Sequence, residues 1–467
     1  MTEPMQIAVV GHTNAGKTSL LRTLTRRGSF GDVSERPGTT RHVESVDLTL
    51  DGARAVRFFD TPGLEDSVAL LDYLNALEGC ATRPDRVRAF LKGPEASRVF
   101  EQEAKVLRQM LDVDAAFYVI DCREPVLPKF RAEMEILTSC GKPVMPVLNF
   151  VRHPRARDHD WEASLSDAGL HALARFDAVA PYIGSEQQLY RDLATLLRNR
   201  QAQLRAIIER LEAERLDRRE LACRAIASLL IDVTALRHTI AKAVLAVPDQ
   251  KQQFVDAFRQ RVVTRVRAGV DSLLEVYAFR KDEADLAVMP WLDGRWDDDL
   301  FNPEVLRDAS VRLGTGAAIG ASVGVVADIA LAGLSLGTGA ALGAAVGGAL
   351  SQGAGQVGRT LANKVLGRID LSLEDEVIQI VVERLLGLLK ALEERGHAAF
   401  DKLPVNSAPA AAAADPARLL AVLQALTRAR GHPDWVLDQS HGALGQPRRK
   451  KAADEVVAAL RAAYIGA

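Results

Sequence analysis

The sequence predicts an α/β domain with a mixed, mostly parallel sheet, followed by an all-α domain that contains a glycine-rich helical hairpin. Three observations predict this arrangement. Residues 11–18 form a phosphate-binding loop pattern between a short apolar run and leucines at helical spacing. Beyond about residue 198 the composition changes to charged, amphipathic helix. Between residues 313 and 358 glycines recur at every fourth position, and Asp328 is the only charged residue.

The first element is the phosphate-binding loop, which follows an apolar strand at residues 6–10 and precedes a helix. Its glycines let successive backbone N–H groups point at phosphate oxygens, and the helix N-terminus adds positive potential there. Lys17 can reach the β- and γ-phosphates, and the Thr18 hydroxyl can bind Mg²⁺. The predicted phosphate-binding residues are Gly11, His12, Thr13, Asn14, Ala15, Gly16, Lys17, Thr18 and Ser19.

Further elements follow the loop in the order that a nucleotide switch needs. Residues 36–41 predict a mobile loop that offers Thr39 and Thr40 to the nucleotide and its metal. Asp51 and Gly52 form a turn signal between two strands, and the second strand ends in Asp-x-x-Gly. There Asp60 would hold the Mg²⁺ shell, and the Gly63 N–H would bond the γ-phosphate. The predicted magnesium ligands are therefore Thr18, Thr40 and Asp60.

Residues 64–98 predict a helical insert, and residues 101–111 a helix that leads into a buried strand at residues 115–121. Residues 143–149 predict the next buried strand, and residues 172–181 the last one. A helix around residues 189–197 would close the domain.

The motifs around Thr40 and Asp60 resemble those of the bacterial Era-like GTPases related to TrmE and Der. Residues 37–44 and 60–73 resemble, more narrowly, a bacterial family of HSR1-related GTP-binding proteins with a long C-terminal domain of unknown function. The first resemblance covers about 200 residues, the usual size of such a domain, and the second covers most of the chain. The resemblance implies a Ras-like P-loop fold, GTP hydrolysis to GDP and phosphate, and Mg²⁺ as cofactor.

The base-recognition motif departs from this family. Asn149 stands where Asn-Lys-x-Asp should begin, but Phe150 replaces the lysine and Arg152 the aspartate. That aspartate accepts two hydrogen bonds from guanine, whereas arginine has only donors. Asp158 or Asp160 could substitute from the following loop. Guanine preference therefore comes from the resemblance, and a relaxed or adenine-accepting site stays open as the alternative.

The catalytic device also differs, because Leu64 follows Gly63 where Ras-like enzymes carry a water-positioning glutamine. In TrmE-like members an asparagine at the position of Asn14 helps to bind potassium beside the phosphates, which can replace an arginine finger. The alternative is that Asn14 only tolerates a tight loop conformation. The resemblance and the loop together give Lys17, Thr40, Asn14 and Gly63 as catalytic residues. The water-positioning candidates are Glu65, Asp66 and Asp72, all of which could instead be solvated.

The sequence divides into a GTPase domain at 1–200, a helical domain at 201–404, an Ala/Pro linker at 405–416 and a C-terminal helical segment at 417–467. Apolar stripes predict helices that run to Pro248 and from Ser372 to Gly396. The hairpin at 313–358 carries glycines on one face of each half, a device of closely packed membrane helices. The alternative is a buried hairpin at the centre of a helical domain. The glycines that define it are Gly316, Gly320, Gly324, Gly339, Gly343 and Gly347.

Composition limits the function classes. The chain of 467 residues has a net charge of −2, which gives no bulk attraction to nucleic acid. Its four cysteines show no metal-binding spacing, and buried thiols in a reducing cytoplasm are the simpler interpretation. Residues 1–4 leave no room for a signal peptide before the first strand, so we expect a cytoplasmic protein. Location at the periphery of the inner membrane is the alternative.

Three functions fit the sequence. The first is a GTPase switch whose helical domain changes its partner with the nucleotide state. The partner could be a protein effector, membrane lipid or a second copy in a nucleotide-dependent dimer. The second is a dynamin-like GTPase that acts on membranes through the hairpin. The third is an RNA or ribosome-assembly GTPase, disfavoured because no basic RNA-binding module is found.

Overall fold

The computed structural model describes residues 3–26, 43–178, 181–277, 300–301, 306, 334–335, 368–394, 416–436 and 447–465. The chain divides into two compact units. The first unit contains Met1–Leu216 and Glu393–Asp401, and the second contains Asp217–Leu392 and Lys402–Ala467.

The first unit alternates strands and helices from its first strand to its last helix. In the described residues these elements are β1 (Met5–Val10), α1 (Lys17–Thr25), β2 (Glu44–Leu50), β3 (Ala53–Asp60), α2 (Ser67–Ala76), α3 (Arg83–Lys92), α4 (Glu101–Asp112), β4 (Ala115–Asp121), α5 (Pro128–Ser139), β5 (Val144–Asn149), α6 (Asp158–Asp167), β6 (Ala174–Arg175) and α7 (Ser185–Leu196). Helix α8 (Gln201–Ala235) follows, and the boundary between the two units falls within it.

The sheet of the first unit has the order β2-β3-β1-β4-β5-β6 in the part that the structure describes. Only the β2–β3 pair is antiparallel; β1 runs parallel to β3 and β4, and β5 runs parallel to β4 and β6. The predicted mixed, mostly parallel sheet is therefore confirmed. Asp51 and Gly52 turn β2 into β3 with φ values of 53° and 75°, the left-handed pair that the hairpin signal predicts.

Alternate residues of β1 enter two different hydrophobic cores. Ile7 and Val9 belong to the core that contains helices α1 and α7, whereas Ala8 and Val10 belong to the core that contains α2 to α6. Successive strand side chains point to opposite faces, so helices cover both sides of the sheet. This arrangement leaves the carboxyl ends of the parallel strands as the edge at which ligands bind in such sheets.

The predicted insert between Gly63 and α4 is helical, as expected. Helix α3 begins where the Thr82 side chain accepts a hydrogen bond from the Asp85 backbone N–H at 3.3 Å, a standard N-cap. The last strand is shorter than predicted, since β6 contains only Ala174 and Arg175.

The second unit is rich in helices, as predicted. After α8, its described elements are β7 (His238–Ala241), α9 (Pro248–Val276), β8 (Leu334–Ser335), β9 (Arg368–Leu373), α10 (Asp375–Glu394), α11 (Pro416–Leu426) and α12 (Pro447–Ile465). One continuous hydrophobic core contains residues of α8, β7, α9, β9, α10, α11 and α12. Helices α8 and α9 pack tightly at Gly269, where an added Cβ would lie 2.3 Å from Leu229 Cδ2.

The apolar stripes were wrong about β7 and the end of β9, because they predicted helix up to Pro248 and from Ser372 onward. Strand β9 pairs antiparallel with β7 and with β8. The burial pattern explains the error, because Ile240 is buried between exposed neighbours and thus alternates with a strand period. An isolated apolar residue in so short a segment does not separate the two periods.

Of the glycine-rich hairpin predicted at 313–358, only residues 334–335 are among the described residues. The linker predicted at 405–416 lies outside them except for residue 416. Among the helices that the structure does describe, none is both long enough and apolar enough to cross a bilayer.

Candidate functional site

The phosphate-binding loop connects the end of β1 to the start of α1. Gly16 has a φ of 94°, and a Cβ there would lie 2.3 Å from Asn149 Nδ2, so both backbone conformation and space require glycine. Asn14 also has a left-handed φ, 64°, which asparagine tolerates better than most residues. The loop-forming interpretation of Asn14 thus agrees with its geometry, whereas potassium binding stays a prediction.

Lys17 is the first residue of α1 and is almost fully buried beneath the loop. Its Nζ donates hydrogen bonds to the carbonyl oxygens of Gly11 at 3.2 Å and His12 at 3.0 Å. Burial lowers the pKa of Lys17, and the nearby carboxylates, Asp60 first, oppose that shift. The ammonium group is therefore held inside the loop, where phosphate oxygens could replace its carbonyl partners.

Thr18 and Asp60 meet at the ends of α1 and β3. The Thr18 hydroxyl donates to Asp60 Oδ2 at 2.5 Å, while Asp60 Oδ1 is buried without a hydrogen-bond partner among the described residues. Burial raises the pKa of Asp60, and the Thr18 hydroxyl and the Lys17 ammonium oppose this. A hydroxyl and a carboxylate are hard oxygen ligands, and an unsatisfied buried carboxylate oxygen suits a cation. These residues therefore fit Mg²⁺.

The segment after Asp60 folds directly onto the loop. A Cβ on Gly63 would lie 2.3 Å from Thr13 Oγ1 and 2.8 Å from Thr13 N, so the two backbones are in close contact. The Leu64 N–H donates to the Gly11 carbonyl at 3.3 Å. The buried Glu103 of α4 accepts the backbone N–H groups of the next two residues at 3.2 and 3.0 Å. Sequence reasoning missed Glu103, a carboxylate that faces the apolar side of its helix.

The three candidates for water positioning occupy different surroundings. Glu65 Oε1 lies 3.4 Å from the Thr13 hydroxyl, and its charge is close enough to Lys17 to raise the lysine pKa. All three side chains are exposed; Asp66 immediately precedes α2 and Asp72 lies along it. Leu64 itself is fully buried, which agrees with the expectation that it cannot orient water.

His12 points away from the loop interior toward α5. Its ring contacts Leu64 O, Glu133 Oε1 and Lys129 Nζ, each within 2.9 Å. Glu133 is completely buried and also accepts the Tyr118 hydroxyl at 2.9 Å. The sequence contained a signal for Glu133, because it interrupts an apolar stripe on α5, but nothing in the sequence indicated its partner.

At the end of β5, Asn149 joins the loop to the last strand region. Its Nδ2 donates to the Ala15 carbonyl at 3.0 Å, and its Oδ1 accepts the Phe150 and Ala178 backbone N–H groups at 2.9 and 3.0 Å. Asn149 is 1% exposed, so its buried side chain connects the loop to the residues that follow β5 and β6. Phe150 has a left-handed φ of 59°, and the Arg123 guanidinium lies 3.8 Å from its ring centre.

The structure places both predicted substitutes for the missing aspartate, Asp158 and Asp160, in the first turn of α6. Asp158 pairs with Arg175 at 3.4 Å, and Asp160 is exposed on α6. A third carboxylate, Asp177, was missed by sequence reasoning; it is buried, and Arg152 N lies 3.5 Å from its Oδ2.

The structure thus brings together the loop, Asp60, Gly63 and Asn149 at one edge of the sheet. Ser19 lies half-buried in the first turn of α1. The predicted switch residues Thr39 and Thr40 lie outside the described residues.

A mostly parallel sheet with this loop, lysine and Thr–Asp pair is the arrangement of a P-loop nucleotide-binding domain. Residues 6–150 match the family described as 50S ribosome-binding GTPase. Residues 162–458, more than half of the chain, match the family described as a domain of unknown function, DUF3482. The chain belongs to the DUF3482 family and carries its GTPase domain at the N-terminal side.

Curated relatives match only in part. Translation initiation factor IF-2 of Chlorobaculum tepidum is 25% identical over 169 residues, which cover 36% of this chain and 14% of that protein. The tRNA modification GTPase MnmE of Rhizobium meliloti is 47% identical over 68 residues, 15% of each chain. The matches thus span about one seventh of these relatives. An Era variant of Aquifex aeolicus, solved with GDP and aluminium fluoride, aligns with a TM-score of 0.32 and 16% identity over 42% of this chain and 57% of that one.

Proposed function

We propose that this protein is a GTP-hydrolysing molecular switch, in which the nucleotide bound at the P-loop controls the helix-rich C-terminal region as an effector domain. The observation that carries the proposal is the Thr18–Asp60 pair beside the buried Lys17. It joins an ammonium group, a hydroxyl and a partly unsatisfied carboxylate at the end of a glycine loop. These are the groups that triphosphate binding requires.

Each group has a separate role in this proposal. The loop N–H groups and Lys17 bind phosphate oxygens, with Lys17 exchanging its carbonyl partners for them. Thr18 and Asp60 would hold Mg²⁺, with Thr40 as the further ligand predicted from the sequence. When bound, Mg²⁺ supplies positive charge that offsets charge on the transferring phosphoryl group. The Gly63 backbone, already in contact with the loop, would respond to the γ-phosphate.

Loss of Lys17 tests the proposal. Lys17→Ala should abolish detectable binding of fluorescent GTP and GDP analogues and multiple-turnover GTP hydrolysis. Lys92→Ala, which removes an exposed lysine from the end of α3, is the matched control and should behave as the wild type. Unchanged turnover in pure, folded Lys17→Ala would remove the basis of the assignment.

Glu65 is the residue we propose for positioning the attacking water. Its support is the contact with Thr13 and the proximity to Lys17. Positioned acid–base groups contribute about 10²–10⁴-fold to rate, so Glu65→Gln should lower kcat by about 10²-fold or more. Asp72→Asn, at the candidate within α2, should leave kcat unchanged. The reverse pattern would transfer the role to Asp72.

Potassium binding by Asn14 remains part of the proposal. Replacing sodium by potassium at constant ionic strength should raise the hydrolysis rate, and Asn14→Ala should remove the difference. Equal rates in the two salts would leave Asn14 with its loop-forming role only.

We further propose guanine as the base, with Asp177 as the acceptor of its N–H groups in place of the missing aspartate. The support is that its carboxylate reaches the backbone of Arg152, at the motif position itself. Calorimetry should show tighter binding of GTP than ATP, and Asp177→Asn should reduce that preference. Equal affinity of the wild type for the two nucleotides would contradict guanine selection.

A ribosome- or RNA-linked GTPase is the second candidate. The description of the matched GTPase family and the name of the MnmE relative favour it. Its test is nucleotide-dependent cosedimentation with purified 50S subunits. Sedimentation of the protein only with a GTP analogue would favour this candidate over a soluble effector.

The membrane and dimer alternatives rest on the sequence of the hairpin region. Sedimentation with anionic liposomes, with and without nucleotide, would test a dynamin-like or peripheral membrane role. Light scattering with GDP and with a GTP analogue would test a nucleotide-dependent dimer. A monomer that binds no liposomes in either state would leave a protein effector as the partner.

A further inference from the structure

The side chain of His12 is bonded on both ring nitrogens. Nε2 lies 2.9 Å from Lys129 Nζ, and Nδ1 lies 2.9 Å from Leu64 O and 2.8 Å from Glu133 Oε1. An ammonium group can only donate, so Nε2 accepts and Nδ1 carries the proton. One N–H is therefore shared between the carbonyl after Gly63 and a buried carboxylate.

Glu133 is held rigidly on the other side of the ring. It is fully buried, and its second oxygen accepts the Tyr118 hydroxyl at 2.9 Å. Burial, the Glu133 charge and this bond all raise the pKa of Tyr118, so the hydroxyl stays a donor. A buried carboxylate needs such partners. The carboxylate in turn fixes the tautomer and the orientation of the His12 ring.

Helix α5 contacts the segment after Asp60 at a second point as well. The Ser67 hydroxyl donates to the Lys129 carbonyl at 2.8 Å. The segment between Leu64 and Ser67 is therefore held at both ends by residues of α5, at one end directly and at the other through His12. It contains Glu65, whose carboxylate must be placed accurately if it acts on the attacking water.

We infer that His12 is a positioning residue for residues 64–67, and that Glu133 and Lys129 of α5 act through it. The inference rests on the proposed function. It makes the position of α5 a control on the same site, because a displacement of α5 would also displace the segment that we propose responds to the γ-phosphate. The cluster borders a cavity of about 290 Å³ lined also by Asn14 and Trp161.

The test separates positioning from mere neutralisation of Glu133. In His12→Leu the Leu64 carbonyl loses its donor, whereas in His12→Gln the amide can still donate to it. Tyr118→Phe is the control, because it removes a bond to Glu133 without touching Leu64. The double variant His12→Leu/Glu133→Leu removes the carboxylate that His12→Leu alone would leave buried without its imidazole donor, so it serves even where the single variant folds poorly.

Two measurements decide the outcome. Amide hydrogen exchange in residues 64–67 should rise about tenfold in His12→Leu and in the double variant, the size of one lost hydrogen bond. Their kcat for GTP should fall by a similar factor, with KM changed less than about threefold if the lost bond acts mainly on the transition state. His12→Gln should recover most of both effects, and Tyr118→Phe should show clearly smaller effects than His12→Leu, because His12 keeps its contact with Leu64.

The inference is overturned if the double variant has the same exchange rate and kcat as the wild type, because His12 would then only neutralise Glu133. Equal effects in Tyr118→Phe and His12→Leu would overturn it too. The exchange experiment runs on nucleotide-free protein, and binding of a fluorescent GDP analogue is measured alongside it. Failure of the wild type to bind nucleotide would count against the proposed function, while the exchange result would still decide the role of His12.

Discussion

Adding one methyl group at Gly63 tests the contact between the P-loop and the segment after Asp60. The Cβ of Gly63→Ala would lie 2.3 Å from Thr13 Oγ1, 2.8 Å from Thr13 N and 2.9 Å from Thr13 Cα. The hydroxyl can rotate away, but the backbone atoms cannot, so the two segments must separate by several tenths of an ångström. Overpacking of this kind costs about 1–3 kcal/mol.

The matched control for Gly63→Ala is Gly387→Ala, since Gly387 lies inside α10 with no atom within 4 Å of an added Cβ. That change should stabilise the protein by about 0.5–1 kcal/mol, the difference between glycine and alanine in a helix. Urea unfolding should therefore move the two midpoints in opposite directions. Gly63→Ala should also weaken binding of the GTP analogue more than binding of GDP, because the Gly63 N–H is the group that we propose bonds the γ-phosphate. Unchanged stability and nucleotide preference in Gly63→Ala would refute the close contact.

Two predictions concern the helix-rich unit. Burial, and then the charges of its acidic neighbours, raise the pKa of Glu374 from its ordinary value of 4.5 to about 7. The folded state then holds a proton that the unfolded state has lost, so stability falls as pH rises from about 4.5 to 7. Glu374→Gln should remove this dependence and stabilise the protein at pH 8 by at most about 3 kcal/mol, measured by urea unfolding; an unchanged pH profile would contradict it. Gly269→Ala should destabilise relative to Gly387→Ala by about 1–3 kcal/mol, since Leu229 occupies the added volume; equal midpoints for the two variants would contradict it.

Local patterns were enough to predict much of the first unit. The strand–loop–helix order around Lys17, the turn at Asp51 and the buried strands all depend on residues close together in the sequence. The predicted roles of the loop N–H groups and of the Thr18 hydroxyl then follow from the motif itself. Strand β7 was missed because a single buried residue, Ile240, cannot separate a strand period from a helical one.

Contacts between distant residues were beyond the sequence. His12 and Glu133 are 121 positions apart, and only the fold shows that the carboxylate meets the imidazole. Asp177 likewise reaches Arg152 because β6 lies beside β5. The sequence alone offered Asp158 and Asp160 as substitutes for the missing base-recognition aspartate, and only the fold brings Asp177 to the same motif as a further candidate. The sequence signal for such distant contacts was a charged residue within an apolar helical stripe, as at Glu103 and Glu133.

The most direct test of a nucleotide switch is hydrogen exchange of the full chain with GDP and with a non-hydrolysable GTP analogue. The account predicts that peptides from α9 and α10, in the helix-rich unit, exchange at different rates in the two states. Lys17→Ala, which should bind neither nucleotide, should show one pattern under both conditions. Identical exchange of these helices in wild-type protein saturated with either nucleotide would contradict control of this region by the GTPase domain.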